Sequence, residues 1–277
     1  LAADNGMQSI KFYQIDAFAE RLFSGNPAAV CVLDEPMAND LCQAIAAENN
    51  LSETAFVHLG VDGWQIRWFT PSDEVELCGH ATLAAGFVLI ELERVGGQSI
   101  EFGSASGPLT VSREGGDYWL DFPAWPPVEV DADARLLPAL GLSEQDLYGP
   151  VMMNNDYLLV LKDRAALRAT TPDFTRLLEV EGRGAIVTAP DDDYDFVSRF
   201  FAPKVGVNED PVTGSAHCLL IPYWSKRLNK VSLRAYQASA RGGAVKCQMV
   251  EVTGGQNRVL IGGQAQLYLA GRLQLPS

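Results

Sequence analysis

Positive charge is scarce in this chain. Its 277 residues carry 21 Lys and Arg against 35 Asp and Glu, a formal net charge of −14. A polyanionic partner needs a basic face, so nucleic acid is excluded. Only Lys226, Arg227 and Lys230 gather in sequence, and they read as the basic last turn of a helix. Histidine is rarer, with three in all, which leaves a multi-His metal site without ligands. The five cysteines are odd in number and none is spaced as CxxC, so neither a disulfide framework nor a zinc site is indicated. Reduced thiols and a cytoplasmic protein are the expectation. No apolar run approaches the roughly 20 residues that span a bilayer, so no membrane partner is expected. Leu1–Gly6 lacks the regions of a signal peptide; Met7 reads as the natural start and residues 1–6 as a remnant ahead of it. Dinucleotide (GxGxxG), phosphate-loop (GxxxxGK[ST]), HExxH and GxSxG motifs are all missing. The expectation is therefore a protein with no metal and no organic cofactor.

What is present is an ordinary globular composition, 47% hydrophobic and 20% charged, at a length that suits two lobes. Alternation predicts strands at Lys11–Phe18 and Trp64–Phe69, a buried strand is expected at Ala28–Leu33, and the chain is expected to re-enter strand at Thr54–Leu59. Asn39 is expected to cap a helix running to about Glu48. A second helix is expected from Ala81 to about Glu93, and strands at Ile100–Arg113 and Tyr118–Phe122. The Pro123–Pro127 stretch is the best linker, which sets lobes at 7–125 and 126–263, with the strand 264–277 a candidate to complete the first. Beyond the linker the pattern restarts. Strands are expected at Val151–Leu161, Gly184–Ala189 and Tyr194–Phe201, with a short helix at Asp173–Val180 between them. A helix to about Leu228 and four closing strands follow.

The two halves share an order of elements. Arg67-Trp68-Phe69-Thr70-Pro71 leads to Cys78-Gly79-His80, and Arg199-Phe200-Phe201-Ala202-Pro203 leads to Thr213-Gly214-Ser215. In each case an aromatic strand passes through a proline loop into a glycine that opens a helix. Two such units are expected to pair about a pseudo-two-fold axis, with both helix starts facing one cleft. Pro222 predicts a kink in the second helix.

A helix start presents unpaired N–H groups and partial positive charge, so Gly79 and Gly214 are candidates to hold an anion. Each glycine also suits a plain strand-to-helix turn. Glu53 enters an apolar strand, where burial disfavours the charged carboxylate and moves it toward the range useful in proton transfer. Its bland alternative is a loop cap or a surface ion pair. His80, His217, Cys78 and Asp210 sit near the two helix starts, where packing and dipole complementation compete with chemistry.

Four segments together resemble the PhzF family of phenazine-biosynthesis-like proteins, which is similar in fold to diaminopimelate epimerase and proline racemase. They are Ser24–Val30 (SGNPAAV), Asn50–Thr54 (NLSET), Cys78–Thr82 (CGHAT) and Glu209–His217 (EDPVTGSAH), in the family's order. The resemblance implies an α/β (α+β) protein of two pseudo-symmetric rolls, each a mostly antiparallel sheet wrapped around a central helix. It also implies a homodimer and isomerisation without metal or cofactor. By the same resemblance Glu53 is the catalytic acid/base, supported by His80 and Asp210. A small acidic substrate would be held by Asn26, Cys78, Gly79, Thr82, Gly214 and Ser215. The racemases use a thiol at each helix start; here the second position is Thr213, too weak an acid for that role. A cysteine-dependent epimerase or racemase and a catalytically silent binding or dimerisation module are the rival readings.

Overall fold

The computed structural model describes residues 9–95 and 97–275, so Met7 and the segment ahead of it lie outside the described residues. By backbone proximity the chain divides into two units. One holds the chain up to Phe23, Pro27–Leu120 and the stretch from Gln264 onward; the other holds Ser24–Asn26 and Asp121–Gly263.

The first unit opens with β1 (Ser9–Ala17) and β2 (Asn26–Leu33). Helix α1 (Asn39–Asn49) then carries the chain across to β3 (Glu53–Gly60), parallel to β2 with Ala28 opposite Glu53. Strand β4 (Gly63–Phe69) returns antiparallel to β3, and the short β5 (Glu74–Val75) folds back on it. Helix α2 (Gly79–Phe87), prolonged by a wider-wound turn through Leu92, crosses to β6 (Ser99–Gly103), parallel to β4. Strands β7 (Leu109–Glu114) and β8 (Asp117–Pro123) complete an antiparallel meander. The single strand expected at Ile100–Arg113 is thus two, parted by a turn in which Ser104 Oγ donates to the carbonyl of Gly107.

Helix α2 is the centre of this unit. Every residue from His80 to Gly86 is buried, and the helix touches β1, β3 and β7. A helix that is apolar all round has no solvent face to offer and must be enclosed. Gly86 shows how closely: an added Cβ would lie within 2.6 Å of Val111 Cβ on β7. A second core, between α1 and the sheet, joins Cys42, Ile45 and Ala46 to Phe12, Ala29, Cys31, Phe56 and Phe69. Asn39 is the first residue of α1 rather than its cap, because its Oδ1 is taken by Arg67 Nη2 at 2.7 Å.

The second unit repeats the plan. Its lead-in holds β9 (Val128–Glu129), α3 (Leu136–Leu140), β10 (Met152–Met153) and β11 (Tyr157–Val160). The strand expected over Val151–Leu161 is split there by Asn154-Asn155-Asp156. Helices α4 (Arg164–Ala169) and α5 (Phe174–Leu177) cross to β12 (Ala185–Ala189), parallel to β11. Strand β13 (Phe196–Ala202) returns antiparallel and β14 (Val207–Asp210) folds onto it. Helix α6 (Gly214–Leu228) crosses to β15 (Ser232–Gln237), parallel to β13, and β16 (Gly243–Val250) and β17 (Arg258–Gly263) close the meander. Helix α6 is not ended by Pro222. That proline has no N–H for the carbonyl of Cys218, and the backbone N–H of Trp125 fills the vacancy at 2.9 Å.

The last strand, β18 (Ala265–Gln274), belongs to the first unit and runs antiparallel to β1, from Ser9 opposite Gln274 to Ala17 opposite Ala265. Each unit is a roll: parallel crossover, hairpin, helical crossover and meander, wound around one buried helix. No helix among the described residues is long and apolar enough to cross a membrane.

Candidate active site

The first cluster is built on α2 and β3. Cys78 precedes α2 in extended conformation, and Gly79 and His80 are the first helical residues. Thr82 is fully buried; its hydroxyl and its N–H both donate to the carbonyl of Cys78, at 2.6 and 3.0 Å, which closes the first turn of α2. Glu53 is the first residue of β3, placed by the parallel register with β2. Its Oε2 lies 3.3 Å from His80 Nε2, and Cys78 Sγ lies 3.5 Å from His80 Nδ1. The three side chains offer ligand atoms that all fall within 4.8 Å of one another, the one such metal-capable group among the described residues.

His80 is 5% exposed, and burial lowers its pKa to about 3. The ring is therefore neutral at any ordinary pH. The ring lies between the two other groups, with Nε2 beside Glu53 Oε2 and Nδ1 within hydrogen-bond distance of the Cys78 thiol.

The second cluster occupies the matching place on α6. Thr213 precedes the helix in the same extended conformation as Cys78, and Gly214 and Ser215 stand where Gly79 and His80 do. Asp210 ends β14. Its Oδ2 accepts from Thr213 Oγ1 at 2.5 Å and its Oδ1 from Asn26 Nδ2 at 2.8 Å, while Asn26 also donates to the carbonyl of Val212. Burial pushes the Asp210 carboxyl up to about 6, against the pull of Thr213, Asn26 and the Arg183 charge. His217 lies one turn into the helix, fully buried, with Nδ1 donating to the carbonyl of Thr213 at 2.7 Å. It packs beside Phe196 and is lowered to about 4 by burial. Its position corresponds to a core residue of α6 and not to His80.

Three further residues belong to this cluster and carried no sequence signal. Gln237, fully buried on β15, accepts from the Thr213 N–H at 2.9 Å and donates to Thr213 Oγ1 and to the carbonyl of Asp210. Arg183 grips Asp156 through Nε and Nη2, and Nη2 also reaches Ser215 Oγ at 3.0 Å. The Asp156 side chain is wholly buried, whereas that of Arg183 is 40% exposed. Gln237 ends a strand that already holds Ser232 and Arg234, and Arg183 sits among glycines and acids, so neither stood out in the sequence.

Each of the two rolls gathers polar groups at the start of its buried helix. The chain matches the PhzC-PhzF family, described as phenazine biosynthesis-like protein, over residues 15–271, and it belongs to that family. It is 54% identical over 267 residues to a Pseudomonas aeruginosa protein named as an uncharacterized isomerase, covering 96% of this chain and 99% of that one. An Enterococcus faecalis PhzF-family crystal structure matches at 46% identity and a TM-score of 0.90, over 97% of this chain and all of that one. A probable proline racemase from Agrobacterium radiobacter, at 11% identity and a TM-score of 0.64 over 96% and 93% of the two chains, shares the fold. By this kinship the chain is an isomerase of the PhzF type.

Proposed function

We propose that the protein moves a proton between two carbons of a small acidic substrate, with Glu53 as the acid/base and without metal or organic cofactor. The contact between Glu53 Oε2 and His80 Nε2, at 3.3 Å, carries this reading. A carbon acid is deprotonated well by a carboxylate that is held in place and little hydrated, and general acid–base catalysis of this kind contributes about 10²–10⁴-fold. The Glu53 side chain is 16% exposed, and a neutral imidazole lies against it. A neutral ring is the partner such a base needs, because an imidazolium would hold the carboxylate in an ion pair and weaken its basicity. Glu53 takes the proton from one carbon and returns it to another. The Cys78 thiol, 3.5 Å from His80 Nδ1, packs against the ring and does not itself exchange the substrate proton.

A panel of small cyclic and amino acids incubated with the enzyme in deuterated water tests the proposal. Carbon-bound deuterium appearing with bond migration is the expected result. Deuterium gained with inversion at a single stereocentre would favour the cysteine-dependent epimerase, for which the short Cys78–His80 contact is the supporting observation. No exchange with any acid of the panel would leave the binding-module reading standing in its place.

A further inference from the structure

We propose that Glu53, Cys78 and His80 form a site for one thiophilic divalent cation of the zinc class, and that occupancy shuts the enzyme off. The three residues supply one carboxylate oxygen, one thiol sulfur and one imidazole nitrogen, a donor set that zinc takes readily. The charges also fit a buried place. A carboxylate, a thiolate and a neutral imidazole sum to −2, so a divalent ion leaves the filled site neutral and avoids the cost of a buried net charge.

The spacing supports it. Zinc holds sulfur at about 2.3 Å and nitrogen or oxygen at about 2.0–2.1 Å, so two ligands of a tetrahedral ion stand roughly 3.3–3.6 Å apart. Cys78 Sγ and His80 Nδ1 are 3.5 Å apart, and His80 Nε2 and Glu53 Oε2 are 3.3 Å apart. An ion uses one ring nitrogen, so one flanking ligand must swing in from at most 4.8 Å. Glu53, with three side-chain torsions, can do so, and the shorter side chains of Cys78 and His80 stand together at the start of α2. Three protein ligands leave a fourth position open, as in zinc sites that keep a water. Binding would cost the thiol its proton, one per ion.

The coordination stands independently of the proposed reaction; only its inhibitory effect rests on Glu53 being the base. Chelator-treated, fully reduced protein is titrated with Co²⁺. The expected results are a thiolate-to-cobalt charge-transfer band saturating at one ion per chain, its loss on adding Zn²⁺, and release of about one proton per ion. C78S should abolish the band, and E53Q should keep it but weaken binding at least tenfold. In any acid-exchange assay found for the wild-type enzyme, Zn²⁺ at the same stoichiometry should suppress turnover at least tenfold. Absence of the band in the wild-type protein, or its survival in C78S, would overturn the site whatever the variants' stability. If the band behaves as expected while E53Q retains activity, the metal site stands and the acid/base assignment fails.

Discussion

Thr213 Oγ1 donates to Asp210 Oδ2 at 2.5 Å, so the residue that precedes α6, in the place Cys78 holds before α2, is a hydrogen-bond anchor for a buried carboxyl. That carboxyl titrates near 6 because burial disfavours its charge. Between about pH 4 and 6 the folded state therefore holds a proton that the unfolded chain has released, and this residue's contribution to stability falls as pH rises, by roughly 3 kcal/mol over the window. Asp210→Asn removes the titration. Urea unfolding of the two proteins at pH 4, 5 and 6 should show the wild type losing ground to the variant as pH increases; parallel curves would place the Asp210 carboxyl in a more solvated setting.

His217 acts in the opposite direction. Buried and lowered to about 4, it stays neutral in the folded protein while the unfolded chain takes up a proton below about pH 6.5. The wild type should then lose stability as pH falls from 6.5 to 4, by roughly 3 kcal/mol from this residue, and His217→Asn should flatten that slope even if it lowers stability throughout. An imidazole resonance for His217 that titrates above pH 6 would contradict the assignment.

Glu53→Gln keeps size and a hydrogen-bond acceptor while deleting the exchangeable proton. Turnover should fall by about 10²–10⁴-fold with little change in unfolding midpoint. Retention of more than about a tenth of wild-type turnover, measured by deuterium exchange into the substrate, would remove Glu53 from the role of base.

Arg183→Ala strands the wholly buried Asp156 carboxylate without its bidentate partner. Allowing for the exposure of Arg183, a loss of about 2–4 kcal/mol is expected. Adding Asp156→Asn should recover part of it. Equal stabilities for the single and double variants would mean the pair is not coupled.

Gly86→Ala tests the enclosure of α2. The new methyl would collide with Val111, and the strand cannot retreat without breaking its register with β6 and β8. A destabilisation of about 1–3 kcal/mol is expected, against the small gain an exposed helical Gly→Ala change brings. A variant as stable as wild type would show that the roll can loosen around its helix.

Much of the fold was legible because local rules wrote it. Alternation marked β1 and β4, and the order of strand, proline loop, glycine and helix marked the repeat that β4–α2 and β13–α6 express. The four family segments, read in order, identified the family. Errors came where local rules compete with distant partners. Asn39 looked like a cap until Arg67 claimed its side chain. Strands over 100–113 and 151–161 read as continuous because apolar alternation does not register a turn built from Ser104 and Gly107 or from Asn154 to Asp156.

The sequence by itself determined the family and where the two buried helices start, since spacing and motif are properties of the chain. Tertiary structure decided which residues meet. Glu53 comes within reach of His80 only because β3 runs parallel to β2 while α2 threads the roll, and no local pattern encodes a contact between a strand's first residue and a distant helix. The protonation behaviour of His80, His217 and Asp210 was likewise decided there. A side chain's pKa depends on how completely its surroundings exclude water, and only the folded packing sets that.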